Sequence, residues 1–424
     1  MSIVSKVKFS LEEEGLRYVI THAPNWVQSR LPDIVYPDGV YRAYNPYGEL
    51  SRSDMITHCE NNNQIWYYGS HDRFNIEPPT TGPTPEPFEK LIGVQESPKS
   101  FVCELCCVRL IGDRAIPRIK NGKFVSEEMG RNSMLKNRVL STFGSLSTKE
   151  KFQEVSKPFR RGNENHYSEP LINLVPRHGS DHNNYVNYAH WTLEDLPRLR
   201  GYEEYSEQTG RKPQILLKKN PPSWMKDTLR LMGFSASDWT EWTGGSATVS
   251  RLIVPKLSYV HSAGSELQPS DRRWVSETMI SNADSTKPTA ERIFLSRQNQ
   301  RRRKVSNFGE ISRVLSEFDF EVVRLEEMSI DHQVRLVKNA EIIAGPSGAA
   351  FANMIFADDA SIIEVKPHGN YDDLWYILAQ ENGLDYSFVH CAPEEGSPIR
   401  NPESMKLDPK NIEQTLKLII KNKQ

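Results

Sequence analysis

Three stretches of this sequence combine residue types that can do chemistry. In Tyr188-Ala189-His190-Trp191-Thr192-Leu193-Glu194-Asp195-Leu196-Pro197-Arg198-Leu199 an imidazole and a carboxylate stand four residues apart. On a helix His190 and Glu194 share a face, where the carboxylate orients the ring and raises its basicity. Such a pair can take the proton of a hydroxyl nucleophile. The competing reading is a helix that packs Trp191, Leu193 and Leu196 inward while its polar residues cap or bridge. The polar run Asp181-His182-Asn183-Asn184-Tyr185 just before it would extend a pocket.

In Glu341-Ile342-Ile343-Ala344-Gly345-Pro346-Ser347-Gly348-Ala349-Ala350-Phe351-Ala352-Asn353 an apolar strand ends in a turn of small residues and runs at once into a helix. Bare N–H groups and the positive end of a helix dipole at that point suit an anionic phosphate. Alternatively, Gly345 and Gly348 serve only a tight turn and close packing, since the spacing departs from the usual dinucleotide fingerprint. The third stretch, Ser296-Arg297-Gln298-Asn299-Gln300-Arg301-Arg302-Arg303-Lys304, follows the strand that opens the same region. Loops at strand carboxyl ends line the ligand crevice of an open α/β sheet, so these guanidinium groups and the turn can meet one polyanion. Taken alone, the run reads equally as a solvated basic loop. Glu364, expected to end its strand on the same edge, would accept hydrogen bonds from a ribose hydroxyl.

These residues need elements to hold them. Arg292–Ser296, Phe320–Val323, Glu341–Gly345 and Ser361–Val365 read as strands, with helices at Phe308–Ser316, Ser329–Asn339 and Gly348–Phe356 between them. With right-handed crossovers that rhythm makes a Rossmann-like domain. Upstream, Tyr188–Leu199 has helical spacing, Gln214–Leu217 is a short apolar strand, Trp224–Met232 a helix closed by Gly233, and Leu252–Pro255 a strand stopped by proline. Short strands alternating with helices indicate a parallel sheet covered on both faces.

The N-terminal third is mostly β and loop. Pro78–Pro85 reads as an exposed loop or linker, Ser100–Ile111 as a strand, and Asn121-Gly122 as a hairpin turn into Lys123-Phe124-Val125. Ser281–Pro288 is the expected hinge, and Asn411–Lys421 an amphipathic helix packed through Ile412, Leu416 and Ile419. The expected class is therefore α/β: a β- and loop-rich region 1–150, a Rossmann-like domain 151–285, a second 286–400, and a C-terminal helix 401–424.

Composition narrows the function. The 53 Lys and Arg nearly cancel 55 Asp and Glu, for a formal net charge of -2, which argues against a nucleic-acid or membrane-surface binder. Arg301–Lys304 alone favours a nucleic-acid module, and it lacks interleaved aromatics. No apolar run reaches the roughly 18 residues of a spanning helix, and Met1–Lys6 is not followed by the apolar stretch of a secretory signal. The expectation is a cytoplasmic protein, with peripheral attachment at the inner face of a membrane left open. Five cysteines (Cys59, Cys103, Cys106, Cys107 and Cys391) are too few and too irregular for a disulfide framework. Cys103, Cys106 and Cys107 with His58 and Cys59 form the one zinc candidate. The plainer reading is small hydrophobes in a strand, and no metal site is expected.

Taken in order, His190-Trp191-x-x-Glu194-x-Leu196-Pro197-Arg198-Leu199, Ser296-Arg297, Arg302-Arg303, Asn307, Gln333, the Gly345 turn, Asn353 and Glu364 resemble glycosyltransferase family 61. That family includes capsular-polysaccharide enzymes of bacteria and archaea, plant xylan arabinosyl- and xylosyltransferases, and animal N-acetylglucosaminyltransferases. The likeness covers about half the chain, Tyr185 to Tyr386 with gaps. It implies a GT-B-like fold, two facing Rossmann-like domains with the active site in the cleft. It also implies inverting transfer of a sugar, commonly from a UDP-sugar, to a glycan hydroxyl.

The family's His and acidic residue map onto His190 and Glu194, its basic positions onto Arg297, Arg302 and Arg303, and its Gly-x-His-Gly-Ala turn onto Gly345, Gly348 and Ala349. Ser347 stands where many members carry histidine, and supplies only a neutral hydroxyl there. The expected catalytic residues are thus His190 and Glu194, either being the base. The expected donor-binding set is Arg297, Arg302, Arg303, Gly345, Ser347, Gly348, Ala349, Asn353 and Glu364. The nucleotide-sugar is a co-substrate, with no cofactor or metal expected, and the acceptor is a glycan or glycolipid of surface polysaccharide synthesis. The rival enzyme reading is a polysaccharide pyruvyl-type transferase, which would bind a small phosphoenol donor.

Overall fold

The computed structural model describes residues 45–129, 132–146, 165–177, 186–258, 267–286, 288–393 and 402–423. The polar run 181–185 lies outside the described residues. The structure is mixed α/β, built on two large sheets.

Among the described residues the first sheet has ten strands. Its main members are β1 (Ser100–Ile111), β2 (Leu171–Asn173), β3 (Gln214–Lys218), β4 (Trp239–Trp242) and β5 (Ser246–Pro255). β5, β2, β3 and β4 are parallel neighbours in that order. On its other side β5 pairs antiparallel with β1, from Ser246 opposite Ile111 to Pro255 opposite Val102. The sheet is therefore mixed rather than all parallel, and it joins strands from both sides of residue 150. β5 also begins earlier than its apolar end suggests, because Ser246–Arg251 alternates buried and half-buried residues on a partly covered face.

The second sheet carries five parallel strands: β6 (Arg292–Leu295), β7 (Glu321–Val323), β8 (Ile342–Pro346), β9 (Ser361–Pro367) and β10 (Asp385–Pro393). Their order is β7-β6-β8-β9-β10, the doubly wound order 2-1-3-4-5. Every residue of β8 and β9 is buried, as the continuous apolar runs of a parallel sheet require. The direction of strand order reverses between β6 and β8, which opens a crevice at their carboxyl ends.

The two halves share one apolar core. Tyr68, Trp191, Leu217 and Met225 belong to the same buried cluster as Val334, Phe351, Ile362 and Tyr376. Pro78–Pro85 is the expected loop, with half its residues exposed, but it is tied to the second sheet rather than free as a linker. The Thr80 N–H donates to the Tyr386 carbonyl at 2.8 Å. Just beyond it, Phe88 stacks on Tyr376 at 4.6 Å and meets Phe388 edge-on. These aromatics have apolar area to bury, and a free linker would leave it in water.

The connecting helices are α1 (Leu199–Thr209), α2 (Ser223–Leu231), α3 (Pro269–Asn282), α4 (Phe308–Glu317), α5 (Ile330–Lys338), α6 (Leu374–Glu381) and α7 (Pro409–Lys423). In α7, Ile412, Leu416 and Ile419 are buried, so its apolar stripe packs on the body. Among the described residues no helix is long and apolar enough to cross a membrane. Cys59, Cys103 and Cys391 are buried like small hydrophobes, whereas Cys106 and Cys107 are exposed.

Candidate active site

The helical stretch that leads into α1 is not uniform. Asn187 caps it, its Oδ1 accepting from Ala189 N at 2.9 Å. One α turn at Tyr188–His190 gives way to a π segment at Trp191–Asp195 and a 3-10 turn at Leu196–Arg198. The sequence contains the reason. An α register would aim the Leu193 carbonyl at the amide four residues on, and that residue is Pro197, which has no N–H. The backbone widens instead, and Leu196 N–H reaches back five residues to Trp191 O.

On this widened turn the Nδ1 of His190 lies 3.1 Å from Oε2 of Glu194. Glu194 is almost wholly buried, with a side chain 3% exposed, while that of His190 is 23% exposed. Behind them Arg177 pairs with Asp195 at 2.5 Å and Arg198 with Glu128. Burial pushes the Asp195 and Glu128 carboxyls up, against the pull of their arginines. The turn therefore rests on buried ion pairs that cost much to break.

The opposite wall comes from the second sheet. β8 ends in Gly345-Pro346, and a Cβ on Gly345 would lie 2.7 Å from the Leu295 carbonyl of β6. Gly348 has extended backbone, so its reason is space: a Cβ there would collide with Nη1 of Arg297. The stretch after it, Ala349–Phe356, is a 3-10 helix rather than the expected α-helix. Arg297 Nε in turn donates to the Arg302 carbonyl at 3.1 Å, folding the basic loop back on itself. Arg303, at φ 59°, then donates from Nη1 to Ser347 Oγ at 3.3 Å.

One pocket of about 380 Å³ opens between the walls. His190, Glu194, Asn187 and Leu193 line one side, and Arg303, Ser347, Gly348 and Ala349 the other. Of the expected donor residues, Arg297 braces the wall from behind Gly348, and Arg302 points to solvent. Asn353 is buried and bridges the halves, its Oδ1 accepting from Tyr188 Oη at 2.8 Å. Burial holds that phenol up at about 12, so it stays protonated and donates.

Glu364 does not end its strand. β9 runs on to Pro367, and Glu364 is fully buried, accepting from Tyr386 Oη at 2.5 Å and paired with Lys366 at 3.2 Å. Its partners are internal, and it does not line the pocket. Besides Asn187, four lining residues carried no motif, Asn370, Asp372, Leu374 and Trp375. These four follow β9 at its carboxyl end, so strand topology was the only signal for them.

His190 and Glu194 thus line the same pocket as Arg303, Ser347 and Gly348. Residues 188–363 match the family model described as Glycosyltransferase 61. This segment is a glycosyltransferase 61 domain. The match opens at Tyr188, two residues before His190, and closes within β9, so it takes in both walls of the pocket. It leaves out the lining residues Asn370, Asp372, Leu374 and Trp375. The match supports glycosyltransferase activity for this segment, and the family implies a sugar donor and an acceptor. A search of curated proteins returned no match.

Proposed function

We propose that this glycosyltransferase moves a sugar, with inversion, from a UDP-sugar to a hydroxyl of a glycan or glycolipid in surface polysaccharide synthesis. The observation that carries this reading is the shared pocket, with His190 and Glu194 facing Arg303, Ser347 and Gly348. Inversion needs a single in-line displacement. The acceptor oxygen attacks the anomeric carbon as its proton passes to the base, and the bond to the diphosphate breaks with its electron pair on the departing oxygen.

The difference in exposure favours His190 as the base. Its Nδ1 lies 3.1 Å from Oε2 of buried Glu194, a carboxylate that stabilises the ring's charge once it is protonated, and on this reading Nε2 takes the proton. Negative charge growing on the diphosphate meets Arg303, the Ser347 hydroxyl and the N–H groups after Ser347. Donors set in place before the reaction stabilise such charge most effectively. On this account Arg297 acts by bracing Gly348 and the basic loop, and the positive groups replace a divalent metal.

The reading also carries the GT-B-like arrangement, with 151–285 as the acceptor side and 286–400 as the donor side, and a cytoplasmic reaction. The test is a panel of UDP-, GDP-, CMP- and dTDP-sugars, assayed with and without excess EDTA, with the product anomer assigned by NMR. The expected result is turnover of a UDP-sugar with inversion, undiminished by chelator. Retention of configuration, or full loss of turnover in EDTA, would refute the respective part.

A further inference from the structure

We infer that Arg272 is a positioning residue for the His190–Glu194 pair, coupling the π turn on one wall of the pocket to α6 on the other. The inference rests on the catalytic role proposed above for that pair. Arg272 sits on α3, its side chain 1% exposed, and is held by three partners at once. Nη1 donates to the Leu193 carbonyl at 3.3 Å and to Ser258 Oγ at 2.7 Å. Nε donates to Glu381 Oε2 at 3.2 Å, and Nη2 pairs with the other carboxylate oxygen.

Two of these partners, the Leu193 carbonyl and Glu381, have a reason to need this guanidinium. The Leu193 carbonyl is the one that Pro197 cannot serve, and a buried carbonyl without a donor is costly. Leu193 lies between His190 and Glu194 in sequence and itself lines the pocket, so an N–H aimed at its carbonyl fixes the turn that aims the pair. Glu381 is the last residue of α6, whose first residues, Leu374 and Trp375, line the pocket. A planar fork can hold a carboxylate with one edge and a carbonyl with another, which a lysine cannot do.

An ion pair that only held the fold would affect stability and leave the chemical step untouched. The test compares Arg272→Lys, which keeps a charge for Glu381 but loses the fork, with Glu381→Gln, which keeps the shape but loses the charge. For each, kcat, the donor KM, the Kd for UDP and the unfolding midpoint are measured beside Glu194→Gln. The expected result is a fall in kcat of about 10- to 100-fold, the scale of a misplaced catalytic group, with the UDP Kd within about threefold of wild type.

Wild-type kcat in either folded variant overturns the inference. So does failure of both variants to fold, which assigns Arg272 to the fold alone. If Glu194→Gln is fully active, the catalytic reading itself fails. If Glu194→Gln is inactive while Arg272→Lys is not, only the positioning role is lost.

Discussion

Gly348 and Arg297 are packed so closely that a methyl group on the glycine would occupy the place of the guanidinium Nη1. The obstacle at Gly348 is the far end of a flexible side chain, whereas the obstacle at Gly345 is the Leu295 backbone carbonyl, 2.7 Å from where Cβ would be. The two substitutions to alanine should therefore separate. Gly348→Ala should keep the unfolding free energy within about 1 kcal/mol and raise the donor KM at least about tenfold, as Arg297 is driven from its place. Gly345→Ala should cost about 1–3 kcal/mol of stability, the scale of overpacking against a fixed neighbour. Urea unfolding beside donor kinetics checks both, and equal stability losses would contradict the assignment.

The second sheet was the most legible part of the sequence. Parallel strands buried on both faces leave continuous apolar runs, and the expected strands Glu341–Gly345 and Ser361–Val365 fall within two residues of β8 and β9 at each end. β10 was missed because residue polarity does not follow its burial, which alternates from Ser387 to Cys391: the polar Ser387 is buried and the apolar Phe388 only half-buried. The His190–Glu194 pair was visible from spacing alone. The π turn beneath it was not, although Pro197, four residues after Leu193, is its sequence-level mark. The internal pairing of Glu364 was also in reach: on a strand Glu364 and Lys366 point to one face. Reading Glu364 as a strand end hid that.

The pair itself should show a division of labour. His190→Ala removes the proposed base and should lower kcat by about 10²–10⁴, with the Kd for UDP nearly unchanged. Glu194→Gln keeps the shape but not the charge that holds the ring, and should lose at least about tenfold in kcat. Single-turnover kinetics with titration of UDP read these separately. A collapse of UDP affinity in either variant would move that residue to the donor side.

The buried Arg198–Glu128 pair beneath the turn gives a stability prediction. Arg198→Ala strands a carboxylate that burial already pushes toward its neutral form, and should cost about 3–5 kcal/mol. Arg198→Met combined with Glu128→Leu removes both charges and should recover most of that loss. Equilibrium urea unfolding is the measurement, and a double variant no more stable than the single one counts against the account.

His390 gives a pH signature away from the pocket. Burial, then the neighbouring His368 and Lys366 charges, hold its imidazole below the usual histidine value. The unfolded chain therefore takes up the proton first as pH falls. Stability should decline from about pH 6.5 downward, levelling once the folded ring is protonated too. Histidine NMR titration should give a His390 midpoint below 6.5, and a midpoint above it would reverse the sign.

The most direct measurement for the central claim is a crystal structure of the protein with UDP bound. The account predicts the diphosphate within hydrogen-bond reach of Arg303 and the backbone N–H of Gly348 or Ala349, its terminal phosphate turned toward His190 across the pocket. A diphosphate bound elsewhere, or sharing no pocket with His190, would contradict it.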